Sequence, residues 1–413
     1  MFAPPTLQPS TPADAVNSIF RICYHPTSSE AFSMHILAAI FGILIILSVL
    51  LDAFETIVLP RKIQRSFRLT SWFYRHTWIP WVKLSRCIRV NSWRENFLGY
   101  FGPFSLILLL VFWAIGLIFG YALLQFGMGE HVQLGTEHIT FGTLLYHSGE
   151  TFFTLGYGDI TPTSPLARLL AVMEAGNGFA FLGVVVGYLP VIYSSFSSRE
   201  LEISLLDSRA GSPPSAGELL ARLGCCPDPV VLDNIFRGWE RWSADLLASH
   251  ISYPVLCYFR SQHSNQSWLG ALTTMLDVTS LVLAGIDGIP KEQAKLTFAM
   301  ARHAAVDLAQ VVNADYDPHA HERLSTEQLE TLRKTLIAAG MRPKQDDEAD
   351  AKLMKLRSLY EPYCDALGRR LLLALPQWMR DEKKKDNWQG GPWDRVILAK
   401  GLGERVHIVD EHF

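Results

Sequence analysis

The chain has 413 residues, of which 49% are hydrophobic and 19% charged, and a formal net charge of −3. That balance points away from nucleic acid as a partner, and a mean hydropathy of +0.15 places the chain between a soluble domain and a polytopic transporter. Six cysteines, Cys23, Cys87, Cys225, Cys226, Cys257 and Cys364, show neither C-x-x-C nor zinc spacing, so no disulfide framework is read from them, and vicinal Cys225 and Cys226 read as inert thiols before a redox pair or soft-metal site.

Residues 1–33 begin Pro-, Ser- and Thr-rich and lack a basic stretch followed by an apolar core. They are expected to form a poorly ordered extracytoplasmic segment, not a cleaved signal peptide. Residues 34–60 exceed the roughly 20 apolar residues a bilayer requires and end at Pro60, which predicts a first transmembrane helix. Asp52 and Glu55 fall near its end, where they are expected to reach water or to pair with Arg61 and Lys62.

Residues 61–100 hold nine basic residues against one acid, Glu95, and carry Trp72, Trp78, Trp81 and Trp93. The excess of positive charge predicts a cytoplasmic or interfacial linker, with the N-terminus outside, and the tryptophans suit headgroup depth. Lys62, Arg65 and Arg68 are spaced by three as in a voltage sensor, but the stretch is short and follows a proline, so it reads as a basic helix near anionic lipid headgroups.

Residues 101–195 read as one unit: an outer helix 103–126 with Pro103 in its first turn, an amphipathic helix 140–153, a loop 154–159 and an inner helix 167–194. The loop reads Thr154-Leu155-Gly156-Tyr157-Gly158-Asp159 and lies between two spans. Non-helical backbone at membrane depth is tolerated only where protein buries it or it lines an aqueous path, so the position itself argues for a pore. Dehydrating a cation needs stacked rings of oxygen. A backbone that aims successive carbonyls at one axis must leave ordinary strand geometry, which glycine does at least cost.

Residues 196–413 read as a soluble, mostly helical region, with helical patterns near 216–224, 229–250, 267–285, 290–312, 326–339 and 349–380 after a break at Gly211 to Pro214. No G-x-G-x-x-G follows a strand, and no nucleophile elbow, paired acid and base, or phosphate loop appears, so neither an enzyme nor an organic cofactor is expected. His250, Cys257, His263 and His303, and His319 with His321 near Asp315 and Asp317, have no ligand spacing and read as structural or surface residues. The charge run 381–386 reads as solvated surface.

The run TxxTxGYGD resembles the selectivity filter of potassium channels, and residues 100–195 resemble the pore of simple bacterial potassium channels. The remainder is similar to bacterial proteins grouped only as potassium-channel family, through stretches such as SLLDSRAGSPPSAGELL and FAMARHAAVDLAQ. The resemblance implies an all-α membrane protein: a tetrameric potassium-channel pore domain with a helical cytoplasmic domain, in the bacterial inner membrane. It implies K⁺ as the permeant ion, held by the carbonyls of Thr154, Leu155, Gly156 and Tyr157 and by the Thr154 hydroxyl, with Gly158 completing the filter. Tyr146, Glu150 and Asp159 would brace the filter and form its outer mouth, with Glu150 and Asp159 sharing a proton, and Gly178, Gly187 and Pro190 would provide a gating hinge. Close helix packing explains the glycines equally well. A closed ring of carbonyls implies a homotetramer, gated through its cytoplasmic region by a ligand or stimulus that the sequence does not specify. Leu155 stands where valine is commoner, which leaves open a weakly selective cation channel; a sensor whose tail is the main functional unit is the other reading.

Overall fold

Long runs of Leu, Ile, Val and Phe with few breakers make helices, and among the described residues the protein is all-α apart from one two-residue strand pair. In the computed structural model the described residues are 28–59, 68–129, 132–133, 139–224, 229–263, 265–318, 322–380 and 386–387. Pro60, Arg61, Lys62, Arg65, Cys225, Cys226, His319, His321, most of residues 1–33 and the charge run through residue 385 lie outside them.

The helices are α1 (Ser28–Ile57), α2 (Leu69–Ser85), α3 (Asn91–Gly127), α4 (Phe141–Phe152), α5 (Pro165–Ala210), α6 (Ala216–Leu223), α7 (Pro229–Ser252), α8 (Trp268–Gly285), α9 (Glu292–Val311), α10 (Thr326–Ala338), α11 (Asp347–Ser358) and α12 (Glu361–Leu371). A 3₁₀ turn, Pro254–Tyr258, follows α7. Strands β1 (Val132–Gln133) and β2 (Thr161–Pro162) pair antiparallel, Val132 opposite Pro162. Helices α1, α3 and α5 are long and apolar enough to cross a membrane. Helix α8 passes the same test of length and composition but is 94% buried within the protein, so it is a core helix.

Several boundaries differ from those the sequence suggests. Helix α3 starts at Asn91 and runs through Pro103 instead of beginning there. Proline cannot donate to the carbonyl four residues back, and one turn of such a helix is tolerated when neighbouring groups cover it. Helix α5 continues through Pro190 to Ala210. The pattern over 349–380 divides into α11 and α12, and Leu372, at φ +54°, ends the second.

The chain forms two compact units. One comprises residues up to 51 with 112–182, the other 52–111 with 183–413. In the first, α1 and α3 approach closely through small residues: a Cβ on Gly42 would lie 2.7 Å from the Gly120 carbonyl oxygen. Ala122, Val132, Leu144 and Ile160 form a small core that ties the strand pair to α3 and α4.

In the second unit Asp52 is fully buried, contrary to its expected contact with water. Its carboxylate accepts from the Thr70 N–H at 3.1 and 3.2 Å and from the Thr70 hydroxyl at 2.6 Å, where an acid suits the free amides and dipole of a helix start. Trp78 is also buried among protein groups: it packs on Phe101 and Tyr258, and its indole N–H donates to the Arg370 carbonyl at 3.0 Å. The core centres on α8, where buried Asp277 receives both arms of Arg323 (2.7 and 3.1 Å) and the Tyr360 hydroxyl (2.6 Å).

Arg199 on α5 is a second anchor, donating to the carbonyls of Leu256 and Phe259, each at 3.0 Å. It also meets His250 Nε2 at 3.2 Å. Guanidinium nitrogens only donate, so this Nε2 accepts and the imidazole is neutral. Burial first, and the Arg199 charge second, hold the His250 pKa well below the ordinary histidine range. The unfolded chain takes up this proton near pH ~6.5 and the folded one does not. The resulting stability is therefore full above that pH and falls as pH drops below it, by up to about 1.4 kcal/mol per pH unit. Thermal unfolding followed from about pH 7.5 to 5 should show this slope in the native protein and a flatter one in His250→Gln, whose amide oxygen still accepts from Arg199. Equal slopes would refute the assignment.

Candidate functional site

The site is the turn that follows α4. Thr140 caps the helix start, accepting from Thr143 N–H while Thr143 answers the Thr140 N–H, each at 3.2 Å. At the other end the Leu155 N–H donates to the Glu150 carbonyl (2.8 Å) and the Thr154 N–H to the Thr151 carbonyl (3.0 Å). These two bonds, with the residue at Thr154 left-handed at φ +54°, make a Schellman cap. Glycine is usual at that position, and a β-branched residue there is strained by roughly 1–2 kcal/mol.

The left-handed conformation then recurs at every second residue: Thr154 (φ +54°), Gly156 (+61°) and Gly158 (+77°). Alternating handedness turns successive peptide planes the same way, so N–H groups gather on one side of the strand and carbonyl oxygens on the other. An ordinary strand alternates them. Positive φ at alternate positions thus takes Thr154 to Gly158 out of ordinary strand geometry. Leu155 and Tyr157, between the left-handed residues, are 54% and 69% exposed in the single chain.

Residues 107–194, which contain this loop, match the family model described as Ion channel. They form an ion-channel domain. The chain is also 24% identical over 203 residues to YdjJ, an uncharacterized membrane protein of Bacillus subtilis (strain 168), covering 48% of this chain and 58% of that one. It thus spans less than two thirds of that relative's length. No solved structure matches the chain.

The channel domain brings some of the expected residues together and separates others. The Tyr146 side chain meets the Asp159 carboxylate, which also accepts from the Ile160 N–H at 3.1 Å. Glu150 does not join them. It is buried and turns to His147 on its own helix, Nδ1 to Oε1 3.0 Å; three residues apart, the two share a helix face. A shared proton between Glu150 and Asp159 is thus not what the single chain forms. Gly178 packs against the end of α4, where a Cβ would overlap the Phe152 carbonyl, and α5 passes Gly178, Gly187 and Pro190 as one continuous helix. Among the described residues no three His, Cys, Asp or Glu side chains are grouped to hold a metal ion.

The sequence reading passes over one group. Glu174 on α5, fully buried, meets Ser148 of α4 and accepts from Gln125 Nε2 of α3 at 3.2 Å. One turn further, Asn177 Nδ2 donates to the Tyr121 hydroxyl. An acid in the middle of an apolar span is the signal that marks this site.

Because the Gly178 contact is with backbone, an added methyl must displace the end of α4. Gly178→Ala is expected to destabilise the purified protein by about 1–3 kcal/mol, whereas Gly183→Ala, whose Cβ meets nothing within 4 Å, leaves thermal unfolding unchanged. Identical melting of the two variants would mean the contact carries no constraint.

Proposed function

We propose that this chain forms a homotetrameric, potassium-selective channel that conducts K⁺ passively. The observation that carries this reading is the alternation of left-handed residues at Thr154, Gly156 and Gly158 within an ion-channel domain. Four such rows of carbonyl oxygens around one axis replace the hydration shell of K⁺, and several adjacent sites allow ions to displace one another in file. The four coordinating carbonyls belong to Thr154, Leu155, Gly156 and Tyr157, and Asp159 concentrates cations at the mouth. A tetramer also accounts for the exposed apolar surface around the loop and inner helix, including Phe153, Leu155, Tyr157, Val172 and Phe179.

The same reading sets the basic linker, by its excess of positive charge and near anionic headgroups, and residues 196–413 in the bacterial cytoplasm. It also makes α5 the element on which gating acts, because its lower half is gripped within the second unit by Arg199 and by the Trp242 indole, which donates to the Arg199 carbonyl at 3.2 Å.

The deciding measurement is the reversal potential under K⁺/Na⁺ bi-ionic conditions, with purified protein in planar bilayers. Reversal near the K⁺ equilibrium value, abolished in Gly156→Ala, is expected. Currents reversing near zero would refute potassium selectivity and support a non-selective cation channel loosened at Leu155. In the same bilayers Trp242→Phe should change open probability without moving the reversal potential; an unchanged open probability would sink the gating role of this grip.

A further inference from the structure

The buried cluster around Glu174 contains a proton-counting problem. Ser148 Oγ lies 2.8 Å from the Ile118 carbonyl of α3 and also meets Glu174 Oε1 of α5. A hydroxyl has one proton to give, and the carbonyl has none. If Ser148 donates to Ile118, the contact with Glu174 is made by a proton on the carboxyl. If Glu174 is ionised, it must accept the hydrogen bond from Ser148 and leave two oxygens facing each other at the Ile118 carbonyl.

We infer that Glu174 is a neutral carboxylic acid whose Oε1–H donates to Ser148 Oγ, and that this residue positions the pore helix α4, and hence the filter, between α3 and α5. The chain of donors then runs Glu174 to Ser148 to Ile118, while Gln125 Nε2 donates to Glu174 Oε2 at 3.2 Å. Every contact has one donor and one acceptor. The surroundings agree. Glu174 is fully buried, and among the described residues no cation pairs with it. A lone buried carboxylate costs far more than its neutral form. The titratable groups nearby offer no compensation: α3 presents the Tyr121 hydroxyl, which accepts from Asn177. On α4, His147 and Glu150 face each other, and Tyr146 faces Asp159.

Position gives the cluster its consequence. Ser148 precedes Thr154 by six residues on the helix that ends in the filter. Its bonds to α3 and α5 set the depth and rotation of α4. Ionising Glu174 would turn the Ser148 hydroxyl to donate to the carboxylate and break the link from α4 to α3. Glu174 is therefore a positioning residue and not an ion ligand.

This inference rests on the channel reading for its effect on selectivity, but the protonation itself is measured without current. Infrared difference spectra of the full-length protein under alkaline titration should contain a neutral-carboxyl C=O band that Glu174→Gln removes. In bilayers, Ser148→Ala and Glu174→Ala should lower the K⁺/Na⁺ permeability ratio roughly tenfold, the change worth one buried hydrogen bond. Glu174→Gln, whose amide donates to Ser148 and accepts from Gln125, should retain the ratio and lose any alkaline dependence of it. Absence of the band, or its survival in Glu174→Gln, overturns the inference whether or not the protein conducts. K⁺-selective currents in which both alanine variants match the native protein overturn the positioning role alone. A band present in a native protein that conducts without selectivity sustains the neutral carboxyl and removes the potassium reading.

Discussion

Backbone that leaves the helix at membrane depth must be covered by protein wherever it does not face water, and the first unit is arranged around that constraint. On the proposed reading, the loop 154–159 cannot satisfy its carbonyls internally and still present them to an ion. Its support comes from the residues on either side. A Schellman cap closes α4 behind it, the strand pair β1/β2 and the core of Ala122, Val132, Leu144 and Ile160 hold the returning chain, and α5 lies against the Phe152 carbonyl at the only residue type that leaves room.

Magnitudes decide how the strain at Thr154 persists. A β-branched residue in the left-handed region costs about 1–2 kcal/mol. The two capping hydrogen bonds it permits contribute roughly 0.5–1.5 kcal/mol each, so local terms only about break even. Tertiary bonds must then keep α4 from relaxing. Between membrane helices, apolar packing resists separation but little resists sliding or rotation, because lipid is as apolar as leucine. Directional bonds do resist it, at about 0.6–2 kcal/mol apiece. The contacts of Ser148 with Ile118 and Glu174, of Gln125 with Glu174 and of Asn177 with Tyr121 supply that directionality on one side of α4. Close packing at Gly42 and Gly120 supplies depth of contact between α1 and α3 and no register of its own.

The second unit meets a different problem, that of burying charges in a helical core. Asp277, Arg323, Tyr360, Glu361 and Arg357 form a connected set, with Arg323 and Arg357 both over the Trp378 ring. Such a set adds little net stability over an apolar core, yet removing one partner strands the rest at a cost of about 3–5 kcal/mol. Its geometry is satisfied only when α8, α12 and the loop before α10 are in register. Asp52 of α1, bonded to the start of α2, and Arg199 of α5, bonded to the 3₁₀ turn and the residue after it, act the same way at single points. Each fixes an element whose apolar face alone would tolerate several positions.

What was legible in the sequence follows from where the partners lie. The loop 154–159, the proposed filter, is legible because its conformation is written in the backbone: Gly156 and Gly158 take up positive φ, and the spans on either side are long apolar runs. The bounds of α4 follow from local signals, Thr140 at its cap and the turn at Thr154. Pro103, by contrast, reads as a helix start because its local effect is to end hydrogen bonding, and α3 runs through it. Asp52 reads as solvated because its neighbours in sequence are basic, while its partner Thr70 lies 18 residues on. Trp78 reads as an interfacial anchor, while the carbonyl it serves is 292 residues away. The resemblance pairs Glu150 with Asp159, and a histidine one turn back on the same helix takes up the Glu150 carboxylate instead. Glu174 is the sharpest case. An acid in a span announces a function, but which function depends on a hydroxyl 26 residues earlier that has one proton and two oxygens within reach, and periodicity records no proton.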